Sequence, residues 1–221
     1  MLVLAIDTAT PEVVTGIVEL TPETGDAPTV RAARHEVTTR GHAEILTTRI
    51  LECLDEAGLA RADLDAVVVG QGPGPFTGLR VGLATGAAFG DALGLPVHGV
   101  CSLDAIAAQA TDVASLLVVT DARRREVYWA RYAEGVRTHG PDVVAPAELG
   151  TSLVGQSIDA IVGSPSHTSL FSYPVLTPTA PTAVGLVSVA LPDLLSGVAP
   201  KPLVPLYLRR PDAVELKDRK K

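Results

Sequence analysis

The chain is poor in cysteine, in aromatic residues and in lysine, and each scarcity excludes something. Its two cysteines, Cys53 and Cys101, stand in no CxxC or Cys/His spacing, and both fall in apolar surroundings, where buried free thiols are expected. Aromatic residues make up 4% of the chain, so Tyr128 and Trp129, neighbours on one strand, do not amount to a stacking platform for bases. No lysine occurs between residues 62 and 200, which removes the phosphate-neutralising lysine of a P-loop. The longest apolar stretch, about 79–100, carries Arg80, Asp91 and His98 and is broken by Pro96, so it is not a membrane span. The start, "MLVLAIDTAT", shows no basic region or small-residue cleavage site of a secretory leader, and a cytoplasmic, membrane-free protein is expected. A formal charge of -7 argues against nucleic acid binding by the body of the protein. Only the last stretch, "LRRPDAVELKDRKK", is locally basic; it is either a solvated tail or a contact for RNA or a partner.

What is present is an ample core: 221 residues, 47% hydrophobic. "LVLAIDTATPEVVTGIVEL" reads as two β-runs joined by a polar turn, and "SLLVVTDARRREVYWARY" has the same shape. Placing Asp121 on Asp7 puts Glu126 on Glu12 and Val127 on Val13, which suggests two copies of one α/β unit. In the first copy, "GHAEILTTRILECLDEAG" is an amphipathic helix with Ala43, Leu46, Ile50, Cys53, Leu54 and Ala57 on one face. "DAVVVG" and "LPVHGV" are short buried strands, and Ser102 is placed to cap a helix through "LDAIAAQA". The second copy has fewer helical patterns: a strand at "DAIVG", a helix opened by Pro181, then the extended, proline-punctuated "GVAPKPLVPLYL". The expected division is residues 1–104 and a reduced second domain, 105–221, whose tail packs back on the first.

"GQGPGPFTGLRVGLATGAAFG" looks like a phosphate loop feeding a helix, but it fits neither GxxxxGK[ST] nor GxGxxG, and Pro73 and Pro75 remove two of the N–H groups an anion nest needs. A helix explains it better. Thr77 can act as N-cap, with Phe76 stapling against Val81. Gly78, Gly82, Gly86 and Gly90 then recur every four residues, on a stripe with Leu79, Leu83, Phe89 and Leu93. Each glycine costs a helix about 1 kcal/mol relative to alanine, so close backbone approach is expected to compensate. The other face, Arg80, Ala84, Ala87, Ala88 and Asp91, is weakly charged for a surface exposed to water. It is read as covered by another subunit or by the chain's own C-terminal segment. Ile45, outward on the first helix among Thr48, Arg49, Glu52 and Glu56, would complete such a patch.

"LAIDTAT", "RGHAEIL", "VVVGQGPGPFTGLRVGLATGAAFG", "DARRREVYWARY" and "PLYLRR" resemble, in order, the signature stretches of the bacterial TsaB (YeaZ) family. The resemblance implies the duplicated α/β fold of actin and hexokinase (the ASKHA fold), with its second domain reduced. It also implies a non-catalytic partner of TsaD, the threonylcarbamoyltransferase that forms threonylcarbamoyladenosine in tRNAs reading codons that begin with A. Family members pair with TsaD through the two helices of the first domain and are joined by the ATPase TsaE; tRNA would be touched at most indirectly. TsaD-like proteins carry a metal-binding histidine pair on the helix after this one, and Ser102 and Ile106 stand in those places. Neither can supply an imidazole ligand, and His35, His42, His98, His139 and His167 form no helical pair, so no metal and no cofactor are expected.

Asp7, Thr8 and Asp121 lie in the turns that approach phosphate or magnesium in actin-like kinases. The bland reading is that they only close turns by hydrogen bonding to backbone. Arg123, Arg124 and Arg125 crowd the second turn, where magnesium would favour carboxylates. Ser164, Ser166 and His167 lack the GxSxG elbow of a serine hydrolase. Three functions follow for testing: a non-catalytic partner subunit, a small actin-like kinase or ATPase using Asp7, Thr8 and Asp121, and a homodimer with a binding role.

Overall fold

The computed structural model describes residues 1–21, 27–38 and 41–209; Arg40 and the basic stretch beyond Arg209 lie outside them. Leu2–Asp7 (β1) and Glu12–Glu19 (β2) form an antiparallel hairpin, and Thr29–Val37 (β3) extends it. Ala66–Gly70 (β4) and Val97–Val100 (β5) add in parallel beyond β1, giving the order β3-β2-β1-β4-β5. Ser115–Asp121 (β6), Val127–Ala133 (β7), Val136–Val144 (β8) and Ala160–Gly163 (β9) repeat four of these positions in the order β8-β7-β6-β9. Among the described residues the place of β5 is taken in the second sheet not by a full strand but by a single parallel bridge, Ile161 to Val175, with the Leu176 amide donating to the Ile161 carbonyl at 3.0 Å, which is the sense in which that half is reduced.

The central strands are apolar on both faces because helices cover both sides of the first sheet. Leu4, Ile6, Val67 and Val69 face His42–Glu56 (α1) and Phe76–Leu93 (α2). Val3, Ala5, Ala66 and Val68 face Ala183–Ser196 (α6), which returns from the second half of the chain. Ser102–Ala107 (α3) does the reverse: Leu103 and Ile106 pack with Val118, Tyr128 and Tyr132 of the second sheet. The boundary drawn at residue 104 therefore falls inside α3. Pro146–Ser152 (α4) and Pro165–Thr168 (α5) flank the second sheet, with α4 covering its opposite face around Leu117, Trp129 and Ile161.

Several local expectations are corrected. The equal-length match of the two hairpins is off by one. Asp7 pairs with Val14 whereas Asp121 pairs with Val127, so Val127 stands in the place of Val14, not Val13. The shorter second turn closes through Arg123, Arg124 and Arg125, all at positive φ (59°, 51° and 63°). Thr77 is not an N-cap; α2 begins at Phe76 with Pro75 ahead of it and no side-chain cap. Ser102 does not cap α3, and its hydroxyl is used elsewhere. Thr182, not Pro181, opens α6, its Oγ1 accepting from the Gly185 amide at 3.1 Å. Ala43 is exposed, while the rest of the expected α1 face is buried or half-buried. Tyr128 and Trp129 point to opposite faces of the second sheet, and both faces are covered.

Candidate functional site

Two features meet at α2. The first is a knot of polar groups at the end of β1. Asp7 is fully buried; its Oδ1 accepts from the Ala9 amide at 2.8 Å and its Oδ2 from the Ser102 hydroxyl at 2.5 Å. Ser102 Oγ in turn accepts from the Gly72 amide at 3.2 Å. Burial pushes the Asp7 carboxyl up to about 6, against the pull of the hydrogen bonds from Ser102 and Ala9. Thr8 Oγ1 donates to the Gly78 carbonyl at 2.7 Å and accepts from the Gly82 amide at 2.9 Å. A side chain of the β1 turn thus joins two backbone groups one turn apart on α2.

This knot gives the glycine stripe its physical account. A Cβ on Gly82 would come within 2.5 Å of Thr8 Oγ1, one on Gly86 would meet Val69 at 3.3 Å, and one on Gly90 would collide with Val97. Gly78 is buried and offers its carbonyl to Thr8.

The second feature is the outward side of α1 and α2. A cleft of about 480 Å³ is lined by Ala43 of α1 and by Phe76, Thr77, Arg80, Val81, Ala84 and Thr85 of α2. Ala84, Ala87, Ala88 and Asp91 are exposed along the helix. Arg80 is exposed but engaged: its Nε donates to the Tyr207 hydroxyl at 2.9 Å, and its guanidinium lies 3.8 Å from the centre of the Phe76 ring. Phe76 and Tyr207 stack with centroids 5.0 Å apart. On α1, Arg49 is held by Glu36 at 2.6 Å and by Glu52 at 2.7 Å, and Glu52 also faces Arg34 at 3.5 Å. The hydrogen bonds from Arg49 and its attraction for that guanidinium hold the Glu52 carboxyl below its ordinary value. Ile45, read as outward-facing, is half-buried and packs on the core beneath α1. It is a seam residue, not an exposed patch.

Residues 34–196 match the family model of TsaD, tRNA N6-adenosine threonylcarbamoyltransferase. A protein of Mycobacterium leprae is 55% identical over 96% of this chain, which spans 56% of that protein's length. The Escherichia coli tRNA threonylcarbamoyladenosine biosynthesis protein TsaB is 36% identical over 60% of this chain and 55% of its own. YeaZ from Pseudomonas aeruginosa superposes with a TM-score of 0.75 at 26% identity, covering 94% of this chain and 99% of its own. The chain belongs to the TsaB (YeaZ) family. Its fold is the duplicated actin-like one.

With the TsaB family in view, the places read against the TsaD histidine pair have definite occupants. Ser102 is buried and spends its hydroxyl on Asp7 and Gly72, and Ile106 is fully buried in the core under the second sheet. The second turn is built differently from the first. Asp121 is half-buried; its Oδ1 accepts from the Arg123 amide at 2.6 Å and lies 3.5 Å from His167 Nε2. Asp7 and Asp121 share no hydrogen-bond partner among the described residues. Among those residues, too, no helix is long and apolar enough to cross a membrane.

Sequence reasoning missed Tyr207 and the Ser102–Asp7 bond. The aromatic in "PLYLRR" was a signal of the first; the second joins positions 95 residues apart and has no local signature.

Proposed function

We propose that the chain is the non-catalytic partner subunit of a TsaD-type threonylcarbamoyltransferase, needed to form threonylcarbamoyladenosine in tRNAs reading codons that begin with A. The observation behind this is the α1/α2 side. It has a shallow cleft edged by Phe76 and Arg80 and continued by Ala84, Ala87, Ala88 and Asp91, with Arg49 and Glu52 on the neighbouring helix. Small exposed side chains on a helix let another helix approach closely, and a nearby salt-linked rim adds register. The partner's helices would bury this side, a TsaE-type ATPase would join the pair, and the isolated chain would use the same face to form a homodimer. A cytoplasmic location follows from that assignment. The commitment of both Asp7 oxygens to Ala9 and Ser102 supports this reading over a kinase that would offer Asp7 to magnesium.

Light scattering on a sizing column, with the chain alone and then mixed with TsaD from the same organism, tests the proposal. A one-to-one complex that is lost in the Ala84→Glu plus Ala88→Glu variant is the expected result. Two folded proteins that never associate would overturn it.

A further inference from the structure

Two segments carry the chain between its sheets. Residues 101–114 leave β5 for β6 through α3, and residues 164–182 return from β9 to α6. A cavity of about 700 Å³ opens where these connections pass the β2–β3 edge of the first sheet. Glu12 and His35 form one wall, residues 109–113 a second, and residues 176–182 a third. Neither the turn residues Asp7, Thr8 and Asp121 nor the cleft on α2 contributes to it.

The lining has a definite chemistry. Among the described residues it offers the carboxylates of Glu12 and Asp112, the hydroxyls of Thr111, Thr177, Thr179 and Thr182 and the imidazole of His35, and no lysine or arginine. Glu12 is held in place: its Oε1 accepts from Thr179 Oγ1 at 3.4 Å, and its Oε2 lies 3.8 Å from His35 Nδ1. Between the polar groups, Ala110, Val113, Leu176 and Pro178 supply apolar wall. Gln109 Nε2 donates to the carbonyls of Ala105 and Ala180, both at 3.0 Å, and so ties the two connections together beside the cavity.

Among the described residues of the lining, an anionic ligand would meet two carboxylates against one imidazole, His35, which already faces Glu12. A metal ion would need a cluster of ligands, and no group of three or more His, Cys, Asp or Glu able to hold one occurs among the described residues. An ammonium group presents only donors and suits a wall of acceptors, and a methylene chain suits the apolar patches between them. The volume lies inside the range of about 300–1,000 Å³ usual for small-molecule sites.

We propose that this cavity binds an aliphatic polyamine. Its ammonium groups sit on Glu12, Asp112 and the threonine hydroxyls, and its methylenes lie against Ala110, Val113 and Leu176. Because both connections line the cavity, occupancy fixes them relative to each other and stiffens the link between the two sheets.

Titration calorimetry of the full chain with spermidine at about 0.15 M salt, with magnesium chloride at matched ionic strength as control, tests the site. The expected result is saturable one-to-one binding of spermidine, absent for magnesium. Glu12→Gln and Asp112→Asn should each weaken it by about tenfold, the change that removal of one charge-assisted contact produces. Asp142→Asn, an exposed carboxylate outside the cavity, should leave it unchanged. Asp112 is exposed, so its variant keeps the test valid should Glu12→Gln fail to fold. No saturable heat, equal heat from magnesium, or wild-type binding by both cavity variants would each overturn the proposal.

Discussion

Thr8 Oγ1 accepts a hydrogen bond from the Gly82 amide at 2.9 Å, across 74 residues of chain. The same oxygen donates to the Gly78 carbonyl, so the β1 turn is fastened to the first turns of α2 through a single hydroxyl. That contact needs the bare Cα of Gly82, and it separates glycines that a helical wheel treats alike.

Gly82→Ala should therefore destabilise the chain. The added methyl would press on Thr8 Oγ1, a short buried group with no room to swing aside. Overpacking costs about 1–3 kcal/mol and the gain in helix propensity offsets about 1, leaving a net loss of up to about 2 kcal/mol. Gly86→Ala meets Val69 only at 3.3–3.5 Å and should come out near neutral. Urea midpoints of the two variants decide the matter; equal midpoints would refute the account.

Asp7 makes stability depend on pH in the direction opposite to a salt-bridged carboxylate. Its value rises from 3.8 to about 6, so the folded chain holds the proton more tightly than the unfolded chain does. The stabilisation is fully present below 3.8 and is lost as pH rises through about 6, a swing of about 3 kcal/mol at most. Measured against Asp7→Asn, which cannot titrate, wild-type stability should fall between pH 4 and pH 6.5 in urea unfolding. A difference that stays flat would show that the carboxyl keeps its ordinary value.

The Tyr207 contact should hold the C-terminal segment down. Leu206 donates its amide to the Gln71 carbonyl at 2.8 Å, and Arg209 reaches the Ala122 carbonyl at 2.6 Å and Glu126 at 2.9 Å. Tyr207→Ala removes the stack on Phe76 and the bond from Arg80, worth about 1 kcal/mol together. Faster hydrogen exchange at the Leu206 amide is the expected reading, with Tyr207→Phe between the variant and wild type. Unchanged exchange in Tyr207→Ala would mean that the segment is held by its leucines and Arg209 without help from Tyr207.

Both thiols should be inert in the folded chain. Burial pushes Cys53 up to about 11 and Cys101 up to about 12, and the thiolate is the reactive form. Ellman's reagent at pH 8 should leave both untouched and titrate both in guanidinium. Rapid reaction of either in buffer alone would place it at the surface.

Much of this was legible in advance because it is periodic. The short continuous apolar runs in "LVLAID" and "AVVV" marked buried strands, and the four-residue glycine spacing marked a helix with a close-packed face. The local chemistry of termini was less legible. Thr77 and Ser102 look like caps, but neither caps its helix; Ser102 finds a stronger acceptor in the buried carboxylate of Asp7. Ile45 was misplaced because it sits at the edge of the apolar stripe, where a small rotation of the helix decides between core and solvent.

The sequence by itself marked both hairpins, the strands β4, β5 and β9 and the helices α1, α2, α3 and α6, the duplication, and the run of the glycine stretch into a helix, but not β3, β8, α4 or α5. These follow from spacing and from missing groups, which a chain carries in any conformation. Only the tertiary structure decided that Thr8 meets Gly82, that Asp7 is buried against Ser102, that Tyr207 lies on Phe76, and that two connections line an open cavity beside β2 and β3. Each of those depends on segments far apart in the chain coming into contact, and the energy of such a contact is set by the packing around it rather than by its neighbours in sequence.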